Sequence, residues 1–110
     1  MKGIFSPLAL NTPEIVYQDT ATTKTSYTLY INVSNLLSGR TLAISIKTSA
    51  TATDLQYVYD EVVFADLDQG QQGIVSIPFI LETSDMYTVT LDQTTGTLTT
   101  FPWGVISVQY

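Results

Sequence analysis

Ten carboxylates, no histidine and no cysteine set the chemistry open to this 110-residue chain. Five of the acids fall near one another, at Asp54, Asp60, Glu61, Asp66 and Asp68. Calcium draws several oxygen ligands from flexible loops, and Asp66-x-Asp68-x-Gly70 follows the opening of a calcium loop. The later ligands and the closing glutamate of an EF-hand are missing, so a solvated acidic loop over 54–68 is the simpler reading. A carboxylate pair such as Glu61 with Glu82 would suit glycoside hydrolysis, but ten acids in so short a chain offer such pairs by chance. A Ser-His-Asp arrangement is excluded without histidine. The usual zinc, copper, haem and thiol chemistry goes with the missing histidine and cysteine, and no phosphate-cradling glycine loop is present. The chain therefore reads as non-enzymatic, with no catalytic residue, no metal and no cofactor.

The remaining residues with chemical character are aromatic. Tyr30, Tyr57, Tyr59, Tyr87 and Tyr110 lie on or near apparent strands, and tyrosine and tryptophan are enriched at contact surfaces. Tyr30 stands out because it shares the polar parity of its run with Thr28 and Asn32; the plain alternative is a lone exposed aromatic. Trp103, between Pro102 and Gly104, suits a core plug or an interface anchor. Asp85-Met86-Tyr87 has the form of the tyrosine corner of immunoglobulin-like sandwiches. Asn32-Val33-Ser34 matches a glycosylation sequon in mid-strand and carries no weight. The expected interface residues are Ile4, Phe5, Leu8, Tyr30, Ile77, Phe79 and Trp103.

The elements that would position these residues are strands. At 86–91 the apolar Tyr87, Val89 and Leu91 alternate with Thr88 and Thr90, a period of two that puts one set on a core. This stretch, 73–100, organises the chain; a turn is expected at 92–96, and the run at 86–91 is expected to pair antiparallel with both its sequence neighbours, 74–81 and 97–100. Tyr27, Leu29, Ile31 and Val33 share a face in 27–34, as do Leu42, Ile44 and Ile46 in 41–48, and the short connection between these runs predicts a hairpin. At 55–64 the parity switches near Asp60-Glu61, which predicts a bulge or break. Residues 74–81 are apolar on both parities, as for a strand buried on both faces or lying at a subunit contact, while Pro78 predicts an edge or bulge. A last strand is expected at 105–110. Seven to nine short strands without a convincing helix predict an all-β, antiparallel two-sheet sandwich, immunoglobulin-like or jelly-roll-like. The expected organisation is an N-terminal arm or edge strand over 1–12, where Pro7 cannot donate to a ladder, and one β-sandwich over 13–110.

Composition bounds the partners. Net charge is −6, and Lys2, Lys24, Arg40 and Lys47 are too few and too scattered for nucleic acid or an anionic membrane. Charged residues make up only 13% of the chain, while 18 threonines fill the polar positions. Such a surface suits broad packing against other proteins, or simply exposed strands. Without disulfides, stability must come from packing or oligomer contacts. The N-terminal run is short, broken by Pro7 and unlike a signal peptide, so the chain is expected to be made without cleavage and soluble at synthesis.

Ile77-Pro78-Phe79-Ile80-Leu81-Glu82, Asp85-Met86-Tyr87-Thr88-Val89-Thr90-Leu91, Gln93-Thr94-Thr95-Gly96-Thr97 and Phe101-Pro102-Trp103 together resemble small β-sandwich structural proteins of tailed bacteriophage particles. These are capsid decoration (cement) proteins and tail-associated modules. The resemblance covers the last third of the chain, which departs from larger members in having no second domain. It implies a virion protein made in the host cytoplasm, without an active site, forming a homo-oligomer with a trimer favoured, and bound to the major capsid protein or other virion proteins. The alternative is a tail or fibre module that binds a host surface glycan or protein, with Tyr30, Tyr57 and Tyr59 as platforms.

Overall fold

Strict alternation along the sequence becomes strict alternation of burial in the computed structural model, which describes residues 1–36, 39–49, 57–65 and 73–110, with backbone alone at 49 and 57–65. Eight strands form: β1 (Lys2–Phe5), β2 (Glu14–Thr20), β3 (Thr25–Asn32), β4 (Thr41–Ser49), β5 (Tyr57–Ala65), β6 (Ile74–Leu81), β7 (Met86–Thr95) and β8 (Phe101–Gln109). In β3 every odd position from Thr25 to Ile31 is buried. Leu42, Ile44 and Ile46 of β4 are fully buried, as are Val89 and Leu91 of β7.

Sheet A has the order β1-β8-β3-β6 and sheet B the order β2-β7-β4-β5, with every pairing antiparallel. Among consecutive strands only β4 and β5 pair with each other; the other connections cross between sheets. This double Greek key is a jelly roll, the second of the two sandwiches that the strand spacing allows.

The connectivity corrects three expectations. The runs at 27–34 and 41–48 do not make a hairpin, because β3 and β4 lie in opposite sheets. Their connection carries Val33 and Leu36 into the core, with the Leu36 N–H donating to the Val33 carbonyl. A tight hairpin loop has no place for two buried apolar residues. Likewise β7 pairs with β2 and β4 rather than with its sequence neighbours, so that its buried row faces those of β3 and β6 across the core. The final strand begins at Phe101 rather than 105, and its ladder to β3 ends at Trp103, one pair before Pro102, which has no N–H to give.

Other features agree with the pattern. A register shift at Ile46/Lys47 sets Asp60 and Val58 against consecutive β4 residues, leaving Tyr59 as the extra residue of a bulge where the parity switches. β6 is an edge strand. Ladder alternation turns Pro78 toward the free edge, so its missing N–H removes no bond to β3.

The core is aromatic at its centre. Tyr87 of β7 packs against Tyr27 of β3 at 4.8 Å and against Phe79 of β6 at 5.1 Å, while Tyr27 and Phe79 stack at 5.2 Å. Tyr17 joins Tyr87 to Trp103, each 5.8 Å away. Tyr87 is therefore a core residue of a jelly roll rather than a tyrosine corner. Burial pushes the Tyr87 phenol well above its usual value, with Tyr17 and Asp19 adding to the effect. Burial also raises Tyr27, and burial with Asp19 raises Tyr17.

Where β7 ends, a side chain takes over from the ladder. Gln93 is fully buried. Its Nε2 donates to the carbonyls of Thr95 and Thr97 at 3.0 and 2.8 Å, and its Oε1 accepts from the Thr99 N–H at 3.0 Å. The chain turns at Gly96, at φ 86°, where a Cβ would come within 2.5 Å of the Gly39 carbonyl oxygen. The residues expected to form a turn at 92–96 thus belong largely to β7, and 97–100 form a loop held by Gln93.

Gln93→Leu takes away the bonds to the Thr95 carbonyl and the Thr99 N–H, while the Thr97 carbonyl keeps its bond from Arg40 Nε at 3.0 Å. It is expected to lower the unfolding free energy by about 2–4 kcal/mol, and a loss in urea titrations below about 1 kcal/mol would remove this role from Gln93. The aromatic core makes an alkaline prediction. Above the ordinary phenol value of 10.0 the unfolded chain releases protons that the folded chain retains. Stability is then fully present below that pH and falls above it. Tyr87→Phe is expected to flatten the fall, and a wild-type stability curve that stays level from about pH 8 to 12 would count against a buried neutral phenol.

Candidate interaction face

The two outer faces of the sandwich differ in kind. Outward positions of sheet A are Lys2 and Ile4 on β1, Pro102, Gly104, Ile106 and Val108 on β8, Ser26, Thr28, Tyr30 and Asn32 on β3, and Ile74, Ser76, Pro78 and Ile80 on β6. Ile4, Ile74, Ile106 and Val108 are each more than half exposed. No carboxylate lies among these positions, and Lys2 is their one charge. Outward residues of β2, β4 and β7 in sheet B are mostly polar, Gln18, Thr41, Ser45, Lys47, Thr88, Thr90 and Asp92, with Ile15 as an exposed apolar exception. There Gln18 Nε2 donates to Thr88 Oγ1 at 3.1 Å.

Two glycines let aromatic rings lie against β1 and β8. A Cβ on Gly104 would collide with the Tyr30 ring, so Tyr30 can cross β8 only because position 104 has no side chain. On the inner side a Cβ on Gly3 would come within 3.0 Å of the Trp103 indole. Tyr30 and Trp103 then line a concavity of about 480 Å³ with Lys2, Gly3, Ile4, Asn32, Ile74 and Pro102. Its walls are apolar apart from Lys2, Asn32 and the phenol.

The expected interface residues divide by parity. Ile4 and Leu8 are exposed, and Tyr30 is half-buried on the outer face. Phe5, Ile77 and Phe79 are corrections, and Trp103 takes the core-plug side of its two readings: all four side chains point inward and are buried. Phe5 stacks on Phe101 and Phe79 on Tyr27. Alternation along β6 explains the division, since Ile77, Phe79 and Leu81 face the core while Ile74, Ser76, Pro78 and Ile80 face out. Sequence reasoning passed over Ile106 and Val108; their signal is the alternation Ile106-Ser107-Val108-Gln109 at the end of β8.

The acidic residues form no centre among the described residues, where no three acids gather as a metal site would need. Asp54, Asp66 and Asp68 lie outside the described residues. Asp60 and Glu61 are placed by backbone only, with Glu61 opposite Ser45 in sheet B. Glu82 follows β6 of sheet A and pairs with Lys24 at 3.7 Å in a well-exposed bridge. Tyr57 begins β5 and Tyr59 is its bulged residue, again by backbone. Three carboxylate or hydroxyl oxygens are buried without a hydrogen-bond partner among the described residues: Glu14 Oε2, Ser45 Oγ and Asp92 Oδ1. Ser45 and Asp92 line a shallow cleft on sheet B, and Glu14 lines one between β1 and β2.

No family model matches the sequence, and no curated protein matches it. In fold the chain is similar to VP2 of infectious bursal disease virus as seen in the crystal structure of its subviral particle. The TM-score is 0.56 at 10% identity, over 96% of this chain and 29% of that one. The structure of the Gx strain of the same virus gives a TM-score of 0.50 at 12% identity, over 96% and 28%. The chain thus spans less than a third of either matched chain. At this identity the likeness is one of architecture: an antiparallel two-sheet sandwich of the kind found in a viral capsid protein.

Proposed function

We propose that this chain is a non-enzymatic structural component of a virus particle, a capsid decoration protein that docks on the major capsid lattice through the outer face of sheet A. The observation that carries the reading is that face, which is apolar and free of carboxylates on a chain of net charge −6. Apolar surface of this kind marks contact with other proteins, and a jelly roll shared with a capsid protein supports a particle as the setting. The trimer implied by the phage-protein resemblance belongs to this reading, since several copies engaging one lattice would turn weak single contacts into stable attachment. The chemistry of the chain points the same way, with threonine hydroxyls in abundance but no histidine to activate them and no cysteine thiol.

Docking through a free N-terminal arm gives way to docking through the face, because Lys2–Phe5 is already paired with β8. The tail-module reading draws on Tyr30, whose ring borders the concavity. Binding of purified protein to empty capsids, compared with binding to host cells and glycans, separates the two. Ile74→Glu and Ile106→Glu are each expected to weaken capsid binding about tenfold or more, the equivalent of about 1.4 kcal/mol, with little change in stability because both side chains are exposed. Gly104→Ala, which evicts Tyr30 from β8, is expected to weaken it as well. Wild-type capsid binding by all three variants, or binding to a host glycan that Tyr30→Ala abolishes, would defeat the decoration reading.

A further inference from the structure

Two successive outward rows of sheet A build the concavity beside Tyr30. One row runs Lys2, Gly104, Tyr30, and the next holds Ile4 and Pro102 beside Asn32 and Ile74. Gly104 is the gap in the first row, and the Tyr30 ring lies across it. The second row is left open in its middle, because the ladder between β8 and β3 stops before Pro102. An enclosed apolar cavity of about 150 Å³ takes up a benzene ring. At about 480 Å³ this concavity has room for a large side chain with its flanking backbone.

The polar side chains on its walls can all donate. Lys2 brings an ammonium, and no carboxylate pairs with it among the described residues. Asn32 Oδ1 accepts the Ser34 N–H at 2.9 Å. That bond fixes the amide and leaves Nδ2 as the end without a partner among the described residues. The Tyr30 hydroxyl adds a further donor. No lining side chain carries a carboxylate. Donors gathered on an apolar wall call for an occupant that accepts, and an ammonium among them calls for an anion. A sugar fits less well, since its hydroxyls must donate as well as accept. A small free acid would fill the concavity but leave Ile106 and Val108 of the same face in water. A protein segment covers both.

We propose that this concavity takes an aromatic side chain with an acidic neighbour, carried on an extended segment of a protein partner. The inference rests on the outer face of sheet A as the docking surface and names what the partner must offer there. The ring packs against Tyr30, Ile74 and Pro102, and contacts between rings gain more than the area they bury. The carboxylate takes a charge-assisted hydrogen bond from Lys2. The apolar wall supplies the holding contact, and Lys2 selects the segment by charge. A basic neighbour in place of the acid would set two like charges together at the rim, which rejects the wrong segment as well as favouring the right one.

Capped dipeptides titrated into the purified chain, with backbone amide resonances followed residue by residue, test the site directly. Acetyl-Phe-Asp-amide is expected to shift the amides of Gly3, Ile4, Asn32 and Ile74. It should bind about threefold or more tighter than acetyl-Phe-Asn-amide, with acetyl-Phe-Lys-amide the weakest. Lys2→Gln is expected to erase the preference for the acid, and Lys2→Glu to reverse it in favour of the lysine peptide. Both should leave the unfolding midpoint unchanged, because Lys2 is exposed. Gly104→Ala, which displaces the Tyr30 ring, should weaken all three peptides alike. No shift of these amides up to about 10 mM peptide, or binding that ignores the neighbour's charge, would overturn the proposal. So would a preference that survives Lys2→Gln, or shifts that follow the concentration of the chain alone, which would make a second copy the occupant. Peptides and capsids fail separately. Capsids that bind wild type and Lys2→Glu equally, with no peptide bound, would defeat this site and leave docking through the face standing. Peptide binding that obeys Lys2, beside capsids that do not bind, would uphold the site and defeat the capsid as partner.

Discussion

Tyr87 holds the two sheets at their working distance. It rises from the middle strand pair of sheet B into a nest of Tyr27 and Phe79 from sheet A, with Tyr17 at its side. Rings at these separations gain more than their buried area alone, and the phenol must stay neutral to remain there. Other features follow from that contact. Trp103 can join Tyr17 only by lying flat on Gly3, and Ile77, Phe79 and Leu81 must point inward to complete the nest's surroundings. The alternate residues of β6 are thereby sent outward, whatever their polarity.

That coupling explains the asymmetry of the molecule. Sheet B turns threonine, serine and glutamine to its outer face, the ordinary solution for a strand with one wet side. Sheet A turns isoleucine, valine and proline outward at the same parity. The described inward rows of both sheets are mainly apolar, so the core does not demand this difference. An apolar outer face on sheet A is what the proposed docking would use. The carboxylates respect the same division, with Glu14, Asp19 and Asp92 on sheet B and Glu82 and Asp85 in the turn beyond β6.

Local pattern was legible in the sequence and long-range pairing was not. Alternation marked β3, β4, β6 and β7 and their inward residues, the parity switch at Asp60-Glu61 marked a bulge, and Pro78 marked an edge. Partner choice failed because periodicity carries no information about which strand lies alongside. The stretch 33–40 looks short enough for a hairpin loop, yet Val33 and Leu36 are buried and β3 and β4 lie in opposite sheets. The end of β7 was misread because Gln93, Thr94 and Thr95 have turn-like composition, yet Gln93 is buried with all its bonds made. In the candidate face, Tyr30 was found by its odd parity. Phe5, Ile77 and Phe79 were placed at an interface because a large apolar side chain suits a core as well as an interface, Trp103 takes the core side of its two readings, and Ile106 and Val108 were missed because exposure cannot be read from residue type.

The strand order of sheet A has a consequence for biosynthesis. The last strand, β8, lies between the first, β1, and the third, β3. While the chain emerges from the ribosome, β1 has nothing to pair with and β3 has only β6. Sheet A closes in one step when β8 arrives, after the other seven described strands have been made. Pairings that join such distant segments form slowly. Until then the inner faces of β1 and β3 have no β8 beside them. A chain stalled or truncated before Phe101 would present open half-sheets to its neighbours, which makes a stop before β8 far more damaging than most single substitutions.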